Sequence, residues 1–240
     1  MSSLSSLKKS LFSIANPERA EGSSRYFKTG LGEYGEGDIF IGISVPDQRN
    51  VCKNYIDLDL KDLTSLLHSA EHEFRTCALY ILVEKFEKSD SKDRKEIFDF
   101  YLKNTKWINN WDLVDSSASY IVGEYLDGNK DKMKILKKLA ISKSLWERRI
   151  SMISTFAYLN KGRSDEAIEI AEILINDAHD LIQKAIGWML REMGKKVSEK
   201  VLFKFLDKYA KTMPRTSLRY AIERMPTQKK NYYMGLKKNS

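Results

Sequence analysis

Trp111 and Asp115 lie four residues apart in the segment Asn109-Asn-Trp-Asp-Leu-Val-Asp-Ser-Ser-Ala-Ser-Tyr-Ile-Val-Gly-Glu-Tyr-Leu126. If the segment is helical, that spacing sets an indole and a carboxylate side by side on one face. At about 100° per residue, Val114, Ala118, Ile121, Val122 and Tyr125 form an apolar arc, and both Trp111 and Asp115 fall inside it. An ionised carboxylate in an apolar stripe needs either a compensating partner or a chemical task. From this segment alone both stand: a buried acid satisfied by an arginine or by backbone donors, and a catalytic carboxylate beside an aromatic face. Asp112 falls beside the arc in the first turn, where a dipole or capping role is enough.

Three further stretches could carry chemistry or binding. The expected helix Leu181 to Met193 has the core stripe Ile182, Ala185, Ile186, Met189 and Met193, and Trp188 lies off it, on a face shared with Lys184, Arg191 and Lys195. An indole in a basic stripe suits aromatic contact with a nucleic acid whose phosphates the cations hold; a Trp packed under lysine stems is the alternative. Within Ser144 to Leu159, Trp146, Ile150, Ile153 and Ala157 define the apolar side, Arg149 sits at its margin and Arg148 points away. An arginine so placed pairs with a buried acid, for which Asp115 is a candidate, or reaches a phosphate. Arg215 and Thr216 stand in the first turn of another helix, where backbone donors and positive charge favour a phosphate.

Other motifs carry less. His68-Ser-Ala-Glu-His72 matches the inverted zinc motif HxxEH, but Ser69, Ala70 and Glu71 read as a break between two helices, so no metal is expected. Gly30, Gly32 and Gly35 spell GxGxxG without the strand and helix a dinucleotide site needs, and Glu33, Glu36 and Asp38 stand where a phosphate would sit. That stretch, 30–45, reads as a long loop closing over the N-terminal helices. There is no nucleophile elbow, Walker loop or thiol paired with a histidine, so any chemistry runs on a carboxylate and without a cofactor.

The elements that must position these residues are helices. From residue 46 onward one helix of about 10 to 17 residues follows another, among them Leu60 to His68, His72 to Lys88 and Lys92 to Asn104. Ser144-Leu-Trp-Glu147 is a capping box, and Pro214 suits the first position of a helix. The helices pair with a period of about 35 to 40 residues, close to that of HEAT-type repeats, which stack into a curved solenoid with a concave face. The expectation is one domain over 1–240: N-terminal helices and the Gly-rich loop over 1–45, regular repeats over 46–240.

Of 240 residues, 42% are hydrophobic and 31% charged, which excludes wholesale disorder, and a formal net charge of +8 favours a polyanionic partner. No apolar run approaches the roughly 20 residues of a membrane helix, and Lys8 and Lys9 precede only a short amphipathic stretch, so a cytoplasmic location is the default. No surplus apolar face stands out, which suits a monomer. Cys52 and Cys77 are too few for a disulfide framework and read as reduced core residues.

Together the chain resembles the DNA alkylation repair family, the AlkD-like DNA glycosylases built from HEAT-like repeats. The similarity runs through Ser23-Ser-Arg-Tyr-Phe-Lys28, Phe40-Ile-Gly-Ile-Ser-Val-Pro46, His72-Glu-Phe-Arg75, Asn110-Trp-Asp-Leu-Val-Asp115, Leu145-Trp-Glu-Arg-Arg149, Ala185-Ile-Gly-Trp-Met-Leu-Arg191 and Arg215-Thr-Ser-Leu-Arg-Tyr-Ala-Ile222, whose order and spacing are specific. The resemblance implies an all-α, right-handed superhelical solenoid of antiparallel helix pairs with a concave basic groove. It implies excision of positively charged N-alkylated bases, 3-alkyladenine and 7-alkylguanine, from duplex DNA. The catalytic acid falls on Asp115 and the two tryptophans on Trp111 and Trp188. The phosphate-holding arginine falls on Arg149, with Arg148 as the adjacent alternative. Tyr26 matches an aromatic position facing the lesion. Beside these, Lys28, Lys184, Arg191, Arg215 and Thr216 are expected to contact the DNA. The Gly-rich stretch 30–38 is longer than the family's expected connection. Two other readings stay open: a non-catalytic binder of damaged, bent or branched DNA on the same scaffold, and a protein-interaction array.

Overall fold

The computed structural model describes residues 3–236. It is all-helical: among the described residues no strand forms, and Ile39 and Glu71 make one isolated parallel bridge. The chain divides into two compact units, one running up to Ser117 and one from Ala118 onward.

The first unit holds α1 (Leu4–Phe12), α2 (Pro17–Tyr26), α3 (Val45–Cys52), α4 (Leu60–Leu67), α5 (His72–Lys88), α6 (Ser91–Lys103) and α7 (Trp111–Asp115). Their starts are set by side-chain caps. Asn16 accepts from the Arg19 amide at 2.8 Å just before Pro17, Asp59 from the Asp62 amide at 2.8 Å, and Asp90 from the Lys92 and Asp93 amides. The unit is organised around α5, which packs against α3, α4, α6 and α7. Every residue from His72 to Leu79 is buried, so its first two turns are interior on all sides.

The second unit begins with a π-helical turn, Ser119–Gly123, running into α8 (Glu124–Leu126). Then follow α9 (Lys132–Ala140), α10 (Leu145–Ser154), α11 (Phe156–Leu159), α12 (Asp165–Leu174), α13 (Asp180–Lys196), α14 (Glu199–Tyr209), α15 (Arg215–Ala221) and α16 (Thr227–Gly235). Within it α10 packs on α13 and α13 on α15, while α9, α12 and α14 lie against those three, the nearest-neighbour layering of a helical-repeat array. Gly187 permits the closest crossing: a Cβ there would lie 2.4 Å from the Ser217 carbonyl oxygen, so α13 and α15 meet backbone to backbone.

Several expected elements change. The helix expected through 109–126 is interrupted after Asp115, because Ser117 Oγ donates to the Leu113 carbonyl at 2.6 Å and Ser116 Oγ to the same oxygen at 3.3 Å, in competition with the backbone ladder. The helix expected to run to Leu159 breaks at Thr155 for the same reason, its hydroxyl donating to the Met152 carbonyl at 2.7 Å. Pro214 is the N-cap of α15 rather than its first residue. Cys52 and Cys77 are buried as expected but are bonded to each other, tying the end of α3 to α5 with Cα atoms 5.9 Å apart; a separation of 25 residues gave no hint of that proximity.

Candidate active site

The first turn of α5 is the foundation. Its Glu73 carboxylate accepts from three successive backbone amides of the preceding loop: Gly42 at 2.7 Å, Ile41 at 3.0 Å and Ile43 at 3.3 Å. The loop is thus fastened to the helix, and the Ile39 carbonyl accepts from the His72 amide at 2.8 Å. Gly42 has φ 80°, and a Cβ there would lie 2.0 Å from the Asn16 carbonyl oxygen, so only glycine fits against the start of α2. Further up the loop, the amides of Gly30 and Gly32 donate to Glu33 and Glu36, both at 2.9 Å. The GxGxxG stretch therefore spends two of its donors on its own carboxylates.

Around that turn sits a buried charge cluster. His72, 2% exposed, lies between Asp38 (Nδ1 to Oδ2, 3.0 Å) and Asp112 (Nε2 to Oδ2, 2.7 Å). Arg75 donates to Asp38 at 2.5 Å and to Asn109 at 2.9 Å, and Asn110 donates to Asp38 at 3.2 Å. Burial opposes a charge on His72, but the adjacent Asp112 carboxylate and hydrogen bonds to Asp112 and Asp38 outweigh it and raise its pKa to about 9. Burial likewise opposes ionising Asp38, and the bonds from His72 and Arg75 overcome it, holding that carboxyl below its usual range. Two carboxylates face two cations in the interior, which is how buried charge is tolerated.

The cluster supports an aromatic stack. The His72 ring lies on Phe40 (4.4 Å, 22°), Phe40 on Phe27 (4.9 Å, 23°) and Phe27 on Trp111 (5.1 Å, 9°), with Tyr26 edge-on to Trp111 at 5.9 Å. Tyr26 is 68% exposed and Trp111 half-buried. Lys28, beside them in sequence, is exposed and takes the left-handed φ of 53°, its carbonyl accepting from the Gly35 amide at 3.0 Å. Asn110 caps α7 by accepting from the Trp111 amide at 2.8 Å. Leu113 and Val114 anchor α7 in the core, leaving Trp111 and Asp115 half-buried, one turn apart. Burial raises the Tyr101 hydroxyl pKa, and the Asp115 charge adds to that rise; Tyr101 bonds Ser117 at 2.9 Å beneath the same helix.

The second unit carries the other expected contacts. Trp188 on α13 is half-buried, its ring 6.1 Å from Phe156. The basic stripe beside it is partly neutralised: Lys184 pairs with Asp180 at 2.8 Å and Arg191 with Glu223, while Lys195 is exposed. Arg148 donates to Asp177 at 2.6 Å and to the carbonyls of Ser142 and Lys143. Arg149 is 4% exposed and donates to the Leu181 carbonyl. Arg215 donates to the Met234 carbonyl at 2.9 Å, and against the opposing effect of burial Lys184, with a smaller contribution from Thr216, holds the Asp180 carboxyl below its usual range.

The two imidazoles of the HxxEH stretch serve different ends: His68 bonds Asn104 at 2.8 Å and stacks on Trp107, whereas His72 is the centre of the charge cluster. That role for His72, and Asp112 as its partner rather than a simple dipole residue, escaped the sequence reading. The available signal was three polar residues, His72, Glu73 and Arg75, in the first turn ahead of the apolar run from Cys77 to Val83.

The fold and site define an all-helical protein in which a short capped helix carries a carboxylate and the tryptophan that ends an aromatic stack. The chain belongs to the DNA alkylation repair enzyme family, whose model matches residues 7–225. A solved structure described as a predicted DNA alkylation repair enzyme from Enterococcus faecalis shares the fold, with a TM-score of 0.69 over 89% of this chain and 97% of that one at 17% identity. Among curated proteins none matches.

Proposed function

We propose that this protein is a DNA glycosylase that releases positively charged N-alkylated bases, 3-alkyladenine and 7-alkylguanine, from duplex DNA. The observation that carries the reading is the pairing, one turn apart on α7, of Asp115 with a Trp111 ring stacked flat on Phe27. A cationic base is already a good leaving group and needs no general acid. As the bond from C1′ to the base nitrogen breaks, its electron pair passes to the base, neutralising it, and positive charge grows on the deoxyribose. Asp115 stabilises that charge and orients the water that adds to C1′, whose proton passes to the carboxylate or to solvent. Indole faces attract cations by about 0.5 to 2 kcal/mol, which suits Trp111 and Trp188 to the lesion and the charged sugar. Tyr26 faces the lesion. Lys28, Lys184, Arg191, Arg215, Thr216 and one of the pair Arg148 and Arg149 contact the DNA backbone, their intramolecular partners being exchanged for phosphates.

The test is release of free base from duplex DNA carrying N7-methylguanine by the wild type and Asp115→Asn. The reading expects the variant to lose release while binding duplex nearly as well. Equal release by both proteins removes Asp115 from the reaction. Binding without release by the wild type favours a non-catalytic reader of damaged DNA.

A further inference from the structure

We propose that His72 is a positioning residue for this reaction: as an imidazolium donating to Asp38 and Asp112 at once, it holds α7 and the Trp111 ring in place. The inference rests on the glycosylase reading and adds to it a residue that touches no substrate.

The argument begins with donor counting. A neutral imidazole has one N–H and one lone pair, so it can donate to only one of two carboxylates. Here both ring nitrogens face carboxylate oxygens, at 3.0 Å and 2.7 Å, in a ring that is 2% exposed. Arg75 Nη2 also stands 3.2 Å from Nδ1, where a lone pair could accept from it, but the same nitrogen already donates to Asp38 at 2.5 Å, which leaves a proton on Nδ1 free to reach the other Asp38 oxygen. The charged groups facing His72 are therefore Asp38 from the loop, Arg75 from its own helix and Asp112 from α7; Phe27 and Phe40 supply only rings. With the proton present the cluster is neutral, and without it one buried negative charge is left over. Asp112 depends most on that proton, because its Oδ1 is buried without a hydrogen-bond partner and Oδ2 is the atom bonded to His72.

Two routes lead from His72 to the proposed chemistry. Asp112 follows Trp111 directly in the first turn of a helix only five residues long, whose last residue is Asp115. The imidazole also closes the ring stack that runs through Phe40 and Phe27 to Trp111. The pKa of about 9, raised from 6.5, fits this role. Its contribution to the fold is complete below 6.5 and is lost as pH rises through about 9.

The test is an NMR titration of the three histidines, assigned by single substitution, alongside the ring signals of Trp111 and the pH profile of base release. His72 is expected to stay protonated through pH 8, and the Trp111 signals and an alkaline loss of release should share its midpoint. In Asp112→Asn, which removes the charge chiefly responsible for the raised pKa, all three midpoints should move together to lower pH. His72→Gln should release base at least ten-fold more slowly at pH 7, with no shared alkaline midpoint and duplex affinity within a few-fold of wild type. A His72 that titrates at or below 6.5 overturns the proposal, and so does a Trp111 signal indifferent to its titration. Should the wild type release no base at any pH, the glycosylase reading fails, while the joint titration of His72 and Trp111 still decides the positioning claim.

Discussion

The cluster at the start of α5 in the first unit and the basic stripe of α13 in the second handle charge in opposite ways. In the first, Asp38, His72, Arg75 and Asp112 are gathered around one turn of α5, buried for the most part and mutually neutralised. In the second, the basic stripe of α13 pairs with carboxylates that are themselves well exposed, Lys184 with Asp180 and Arg191 with Glu223. A buried cluster cannot rearrange cheaply, because each partner would be left as an uncompensated charge in a poor solvent. Exposed pairs exchange partners at little cost. The first arrangement suits a group that must be held still while charge develops beside it, and the second suits contacts that must adapt to a polyanion.

That contrast can be broken from either side. The largest effect should come from Asp38→Asn, which leaves His72 and Arg75 short of a counter-charge. A loss of about 3 to 5 kcal/mol is expected, read as a lower urea midpoint, by analogy with other buried pairs stripped of one partner. A change below about 1 kcal/mol would mean the cluster is no more rigid than the surface pairs. Next comes Asp115→Asn, with base release expected to fall by about 10² to 10³ and thermal stability little changed. Trp111→Ala should slow release by roughly 2- to 30-fold, the equivalent of about 0.5 to 2 kcal/mol of lost cation attraction. A larger loss would point to collapse of the stack on Phe27, visible as a changed near-ultraviolet dichroism. Lys184→Ala should leave the urea midpoint within about 1 kcal/mol but lower the salt slope of duplex binding by about 0.9 across all sequences. Arg149→Ala separates the two styles within one residue. If it flattens the salt slope it contacts phosphate, and if it only lowers stability its bond to the Leu181 carbonyl is its task.

Much of the fold was legible because it rests on local signals. The helix expected over His72 to Lys88 is α5 residue for residue, and α4 and α6 lie within a residue of expectation. Family membership was legible from short fragments in order along the chain. What failed depended on atoms distant in sequence or on hydroxyls that compete with the ladder. Ser116, Ser117 and Thr155 end helices that hydrophobic periodicity would continue. The Cys52 to Cys77 bond and the Asp38, His72 and Asp112 triad join residues 25 to 74 positions apart, and nothing in their local spacing announces the contact. Arg149, expected at the apolar margin, is buried and donates to the Leu181 carbonyl, whereas Arg148, expected to point away, is tethered by Asp177 and two carbonyls that periodicity does not reveal.

The central claim is that the carboxylate on α7 drives bond cleavage, and the most direct measurement is the product formed by the wild-type protein on methylated duplex DNA. Incubation of excess protein with a duplex bearing one N7-methylguanine, followed by chromatography of the low-molecular-weight fraction and alkaline cleavage of the strand, reads both halves of the reaction. The account predicts free N7-methylguanine and a matching strand break at the resulting abasic position, both lost in Asp115→Asn. An intact strand with the modified base still attached, under conditions where the duplex is fully bound, would contradict it.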